Sequence, residues 1–197
     1  PWAATALLGI VVLQALLGMW TVTLQLRPVV VTAHLLGGMT TLALLVWLLL
    51  FRQTSAARQD ASRTNFLRLH GALALFTVIG QIALGGWVSS NYAALICNDF
   101  PTCPGAWVPE MDFGTAFSLH RELGQTADGQ LLPLSALTAI HWSHRIGAIV
   151  VTLLTGLLAL ALYKTGAGRW RTWSGVLVVL LLIQIALGVS NVVLGLP

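Results

Sequence analysis

Acidic side chains are scarce in this sequence. Its 197 residues hold six Asp and Glu together, and none falls inside the long apolar runs that make up most of the chain. Charged residues reach only 8% against 57% hydrophobic, which excludes an ordinary soluble globular domain. Cysteine is nearly missing too, with two residues, so there is no disulfide-dense or Cys-rich zinc scaffold. A Gly-rich phosphate loop, a nucleophile elbow and a zincin His-Glu motif are all lacking, which removes the signals of those catalytic classes. Without carboxylates in the runs, a proton or cation transporter has no obvious relay group here. A leader with a basic start, a short apolar core and a small-residue cleavage site is lacking as well.

What is present is hydrocarbon of spanning length. Five apolar stretches can be read, at about residues 2–25, 29–51, 69–90, 134–162 and 173–195. Arg145 is the one charged residue inside any of them. The expected fold class is therefore all-α, a polytopic membrane protein with five transmembrane helices. A start at Pro1-Trp2 and a stop at Pro197 directly after an apolar run predict a piece of a longer membrane protein. The basic residues report topology. Arg52, Arg58, Arg63 and Arg68 lie between the second and third runs, and Lys164, Arg169 and Arg171 between the fourth and fifth. Segment 91–133 carries Arg121 alone against Asp99, Glu110, Asp112, Glu122 and Asp128. The positive-inside rule puts 52–68 and 164–172 in the cytoplasm and 91–133 on the outer face. The formal charge of +4 is thus no footprint of nucleic-acid binding, since no basic stripe is interleaved with aromatics. Trp87, Trp107, Trp170 and Trp173 stand near run ends, as an interfacial belt requires.

Both cysteines, Cys97 and Cys103, fall in the outer segment, where an oxidising compartment favours a disulfide. Their spacing is not the two-residue spacing of zinc sites. A repeat also runs along the chain. Gln14-Ala15-Leu16-Leu17-Gly18, Gln81-Ile82-Ala83-Leu84-Gly85 and Gln184-Ile185-Ala186-Leu187-Gly188 share a Gln-x-x-Leu-Gly core in alternate runs, all directed outward by the charge rule. Convergent helix packing, with Gln bonding across an interface, is the bland reading; an internal duplication fits three matched copies better. His34 follows Gln14 by twenty residues, and the same offset from Gln184 falls at position 204, where a duplicated parent should carry a histidine.

Histidine in the apolar runs is the chief functional signal. An ionisable side chain in hydrocarbon is costly and usually has a partner: a metal, a counter-charge or a water path. His34 is followed by Gly37-Gly38. His141 and His144 share a helix face that Gly147 and Ala148 continue with little bulk, the flat wall a porphyrin needs. Neutral imidazole ligates haem iron, and histidines from facing helices of a bundle make a b-type site. Arg145 wants an anion, for which a haem propionate would serve. His34 could instead be a core histidine bonded to a neighbouring carbonyl or Thr. His141, nearer the outer end of its helix, could bond to water, a carboxylate or a propionate rather than iron. His70 reads as an interfacial residue and His120 as solvated loop.

The ordered set of these motifs resembles the haem A synthase family of cytochrome oxidase assembly. Gln14 to Trp20 with Pro28 to Gly38 looks like the end of that family's first half. Gln81 to Asn91, Cys97 to Cys103 and Pro109 to Phe113 look like its centre, and His141-Trp142-Ser143-His144-Arg145 like the His-Arg helix of its second half. The resemblance implies two pseudo-symmetric four-helix bundles, of which the chain lacks the first two helices and the last. Residues 1–52 would close the N-terminal bundle, 53–68 would be a cytoplasmic linker, and 69–197 would hold three helices of the C-terminal bundle. It further implies an oxidoreductase of a bacterial inner membrane that converts the methyl group of haem O to the formyl group of haem A, using haem b. His144 and His34 match axial iron ligands of the second and first halves, with His141 and Arg145 as further cofactor contacts. Each ligand's partner histidine, and the family's intramembrane acidic residue, fall outside this chain, so the piece alone should be inactive. Cys97 and Cys103 match the second-half cysteine pair. The lipid bilayer and the haem substrate are the expected partners, with a haem O synthase, an electron donor and a second copy of the chain as candidates. The reading from another class is a b-type cytochrome that passes electrons without substrate chemistry; a transporter or scaffold with structural histidines is a third.

Overall fold

A computed structural model describes residues 2–51, 61–103, 105–165 and 168–195. Arg52 and Arg58, and residues 53–60 of the expected linker 53–68, lie outside these residues, while 61–68 belong to a helix. Among those described, the only β pairing is one isolated bridge between Gln125 and Leu131. Five long helices carry the fold: α1 (Trp2–Thr23), α2 (Pro28–Phe51), α3 (Ala61–Ser90), α5 (Leu134–Lys164) and α6 (Gly168–Val193), with a one-turn α4 (Phe113–Ala116) in the outer segment. All five are long and apolar enough to cross a membrane. In hydrocarbon a spanning backbone must satisfy its own N–H and C=O groups, which is why such runs become helices. The helices extend past the apolar stretches, α3 by several residues around Arg68 and α6 around Arg169 and Arg171. Helical hydrogen bonding continues into the interface, where water and headgroups solvate the polar side chains.

Between α1 and α2 the chain turns in four residues, 24–27, with Gln25 and Leu26 in the left-handed region at φ 53° and 58°. Pro28 then starts α2, where its missing N–H costs nothing and its fixed φ suits the first turn. Helices pack in series, α1 on α2, α2 on α3, α3 on α5 and α5 on α6. Small residues set the close approaches. A Cβ at Gly86 would stand 3.0 Å from Leu35 Cδ2 and 3.3 Å from Thr32 Oγ1, so α2 seats directly on α3. Ser174 Oγ donates to the Ala159 carbonyl at 2.7 Å and ties α6 to α5.

The buried core lies at one end of the molecule. Trp87 and Val88 of α3, Ala93, Ala116 and Leu132 of the outer segment, and Ala136, Ala139 and Ile140 of α5 form one cluster. Segment 91–133 therefore folds as a cap over α3 and α5. Trp87 shows why the belt reading fails at this position: it is buried, its Nε1 donates to the Ala116 carbonyl at 2.9 Å, and Phe117 stacks on it at 6.3 Å. Arg121 is buried beside it, donating to the same carbonyl at 3.2 Å with its guanidinium over the indole at 5.5 Å. That burial lowers the Arg121 pKa, since desolvation penalises the charged form. Arg27, in the α1–α2 turn, stands 3.9 Å from Glu122, so turn and cap lie at the same end.

Candidate functional site

Two helix pairs carry the same four-residue interlock. In the first, Gln14 and Gly18 of α1 face His34 and Gly37 of α2. The Gln14 amide, turned as its neighbours require, donates from nitrogen to the His34 carbonyl at 2.9 Å and to His34 Nδ1 at 3.0 Å. Its oxygen accepts from the Gly38 N–H at 3.3 Å. A Cβ at Gly18 would stand 3.2 Å from His34 Cε1, and one at Gly37 would collide with the Gln14 amide.

The second pair repeats this between α3 and α5. Gln81 Nε2 donates to the His144 carbonyl at 3.0 Å and stands 3.0 Å from His144 Nδ1. A Cβ at Gly85 would stand 3.3 Å from His144 Cε1, and one at Gly147 would collide with the Gln81 amide oxygen. Gln81 Oε1 is buried without a hydrogen-bond partner. Each histidine thus lies edge-on against a glycine, with one glutamine amide bridging its ring and its own carbonyl. Helices can approach this closely because both crossing points lack a Cβ.

A groove of about 600 Å³ runs along the α3–α5 seam, lined mostly by apolar side chains and including Gln81, Gly147, Ser143, Trp142, Thr77 and Met111. His144 lies behind Gln81 and Gly147, half-buried. Among the described residues no three His, Cys, Asp or Glu side chains converge on a metal position. His34 and His144 belong to different pairs, so each would need an opposite ligand from elsewhere.

Other candidates find protein partners. His141 is buried, and its Nδ1 lies 2.9 Å from the Ala93 carbonyl, an acceptor that fixes the proton on Nδ1 and leaves Nε2 as acceptor. It pins α5 to the cap. His70 bonds the Phe66 carbonyl at 2.9 Å on its own helix and is half-buried, whereas His120 is exposed. Arg145, expected to seek an anion, donates instead to four carbonyls of the cysteine loop. Nη1 reaches Pro101 O at 3.3 Å and Thr102 O at 2.7 Å, and Nη2 reaches Cys97 O at 3.1 Å and Asp99 O at 2.8 Å. With those donors committed, only Nε, buried and unpartnered, remains for a propionate.

Cys97 and Cys103 form a disulfide inside that loop, and both are fully buried. Asp99 closes it from within: its carboxylate accepts from the Thr102 hydroxyl and from the Gly105 N–H at 2.7 Å. The Thr102 hydroxyl first, then the Gly105 amide, hold the Asp99 carboxyl below the ordinary carboxylate range. A depressed carboxyl adds stability above its unfolded pKa, and that stability is lost as pH falls through the folded value. Hydrogen exchange at the Gly105 amide should therefore stay slow at neutral pH and speed up only in acid. An exchange rate that rises already between pH 7 and 5, beyond its intrinsic pH trend, would contradict this role.

The sequence reading missed Gln14 and Gln81 as histidine partners. Their signal was in view, since both open the Gln-x-x-Leu-Gly repeat, but the repeat spoke for duplication or for packing and named no histidine as partner.

A family model described as cytochrome oxidase assembly protein (COX15-CtaA) matches residues 1–197. A heme A synthase of Shewanella oneidensis is 43% identical over 190 residues, covering 95% of this chain and 56% of that protein. One of Methylobacterium radiotolerans is 29% identical over 170 residues, 86% of this chain and 43% of the relative. One of Halalkalibacterium halodurans is 31% identical over 116 residues, 58% of this chain and 31% of the relative. No solved structure matches. The chain spans about half the length of these curated relatives. Five apolar helices, matched end to end by one family model, make this chain a member of the COX15-CtaA family of cytochrome oxidase assembly proteins.

Proposed function

We propose that this chain is the central portion of a haem A synthase, an inner-membrane oxidoreductase that converts the methyl group of haem O to the formyl group of haem A. The observation that carries the reading is the duplicated glutamine-clamped histidine, one in each helix pair. Two equivalent histidines suit two haems, a substrate haem in one half and a resident haem b in the other. Residues 1–52 then belong to the N-terminal bundle and 69–197 to the C-terminal one. Gln184 and Gly188 of α6 repeat the pattern in an exposed position, with open space beside Gly188, which suits a further histidine-bearing helix. The cap and its disulfide belong on the outer face, in keeping with the basic residues at the other end.

The residues present fit haem. His144 offers a neutral imidazole behind an apolar groove whose volume lies in the range of cofactor pockets. Gly147 and Gly85 remove the side chains that would fill the seam. When bound, haem supplies reversible one-electron chemistry. The chain's own part is to hold and orient. His144 and His34 would hold the haems, Gln81 and Gln14 keep their rings in place, and His141 fixes α5 under the cap. Arg145 locks the disulfide loop to the residue next to His144. The apolar lining keeps water from the seam.

The full-length protein, expressed in membranes with a haem O source, should yield a formyl-bearing haem on pigment extraction. Haem B alone, with no formyl product, would make it an electron carrier. No reduced-minus-oxidised haem absorbance at all would end both readings.

A further inference from the structure

We propose that the Gly85-Gly86 step of α3 thins the wall between the two histidine sites, with Gly86 as the positioning residue that sets their separation for electron exchange. This rests on the two-haem reading of His34 and His144. The two helix pairs meet through α2 and α3, so α3 stands between the sites. Its adjacent glycines face different neighbours. A Cβ at Gly85 would stand 3.3 Å from His144 Cε1. One at Gly86 would stand 3.0 Å from Leu35 Cδ2 and 3.3 Å from Thr32 Oγ1, on the turn of α2 that carries His34. Contact thus runs from the His34 backbone through Leu35 to α3 and on to the His144 ring, with no α3 side chain in between.

Thr32 marks the same crossing independently. Thr40 and Thr41 of α2 turn their hydroxyls back onto carbonyls one turn earlier, as threonine in a helix commonly does. The Thr32 hydroxyl does not: it is buried, without a partner, and a polar atom is left against α3 where the wall is thinnest. Ordinary close packing of helices needs one small residue per crossing. Here two successive glycines serve two crossings, each beside a histidine-bearing turn. The other tie between the pairs, Arg27 to Glu122 at 3.9 Å, is exposed on both sides, and such a pair is worth about 0–1 kcal/mol. It is too weak to hold a distance, which leaves the Gly86 crossing to do so. The chemistry needs that distance held, because a resident haem can serve a substrate haem in the other half only across whatever lies between them. Passage of one electron oxidises the iron at one site and reduces that at the other, with no bond made or broken. Its rate falls steeply with separation, so a side chain added at Gly86 acts on the exchange while both histidine clamps stay closed.

The test uses the full-length protein loaded with haem B and haem O, comparing Gly86→Ala, Gly86→Leu and Gly71→Ala. It reads haem content, the midpoint of each haem, the magnetic coupling between the two irons and the rate of electron exchange after flash photoreduction. Alanine asks Leu35 to give by a few tenths of an ångström and leucine by more. Exchange should therefore slow in the order Gly, Ala, Leu as the coupling weakens, with haem content and both midpoints unchanged. Gly71→Ala, on the same helix with nothing within 4 Å of its Cβ, should alter none of these. Leu35→Ala combined with Gly86→Leu takes away the obstructing side chain and should bring the exchange rate back. If the leucine variant does not assemble, the alanine variant decides alone. An exchange rate indifferent to Gly86, or one that falls only as haem is lost, overturns the proposal in favour of plain packing. Wild-type protein that holds a single haem would instead sink the two-haem reading, and the proposal with it.

Discussion

His144→Ala in the full-length protein should abolish the second-half haem absorbance while leaving the membrane protein folded. Alanine is the best helix former, so α5 keeps its backbone and the His144 carbonyl that Gln81 bonds. The fold loses the hydrogen bond between Gln81 and the ring, worth about 1 kcal/mol net, together with the packing of a half-buried ring. With His144 as the residue proposed to hold the haem, loss of its imidazole is an effect of another order. The truncated side chain leaves a space of imidazole size between Gly85 and Gln81. Imidazole added to the variant should therefore restore part of the low-spin spectrum. An unaltered reduced-minus-oxidised spectrum in the variant would remove His144 from the ligand set.

Gly147→Leu should be the most disruptive single change along the α3–α5 seam. A bare Cβ there already collides with the Gln81 amide and stands 3.0 Å from Leu84 Cδ1. Alanine can be absorbed if Gln81 swings away, which breaks the clamp. Leucine has no such route and must push the two helices apart. Overpacking of this kind costs about 1–3 kcal/mol, and here it is joined by loss of the clamp. Gly156→Ala supplies the control on the same helix, because nothing lies within 4 Å of a Cβ at that position. It should be neutral or stabilising by up to about 1 kcal/mol through helix propensity. Unfolding in mixed detergent micelles measures both. Equal stability of the Gly147 and Gly156 variants would show that the seam is looser than described.

Helix number and the approximate spans were legible in the sequence because bilayer thickness converts hydropathy directly into length. The five runs match the five helices to within a few residues, apart from the polar extensions of α3 and α6, which hydropathy cannot register. The cysteine bond was legible from compartment chemistry. Trp87 and Arg145 were not. Trp87 stands where a membrane protein places interfacial side chains and Arg145 reads as seeking an anion, yet each is taken up by segment 91–133, whose fold depends on long-range contacts with no sequence period. Histidine was visible because it is out of place in hydrocarbon. Its glutamine partner was not, since on either chain segment alone Gln is a common packing residue. Only the facing register of the two helices joins them.

The duplicated interlock is built across very different distances along the chain. Its first copy closes over residues 24–27 and its second over 91–133. Closing the longer loop costs roughly 2 kcal/mol more chain entropy, from the logarithmic dependence on loop length. The α1–α2 hairpin can therefore come together as soon as both helices enter the bilayer. The α3–α5 seam must wait for its cap, and the contacts that shorten that wait are the buried Trp87, the His141 bond to Ala93 and the Arg145 grip on the disulfide loop. Two sites alike in the finished protein thus differ in the chain entropy of closing them, and the second depends on the folding of segment 91–133.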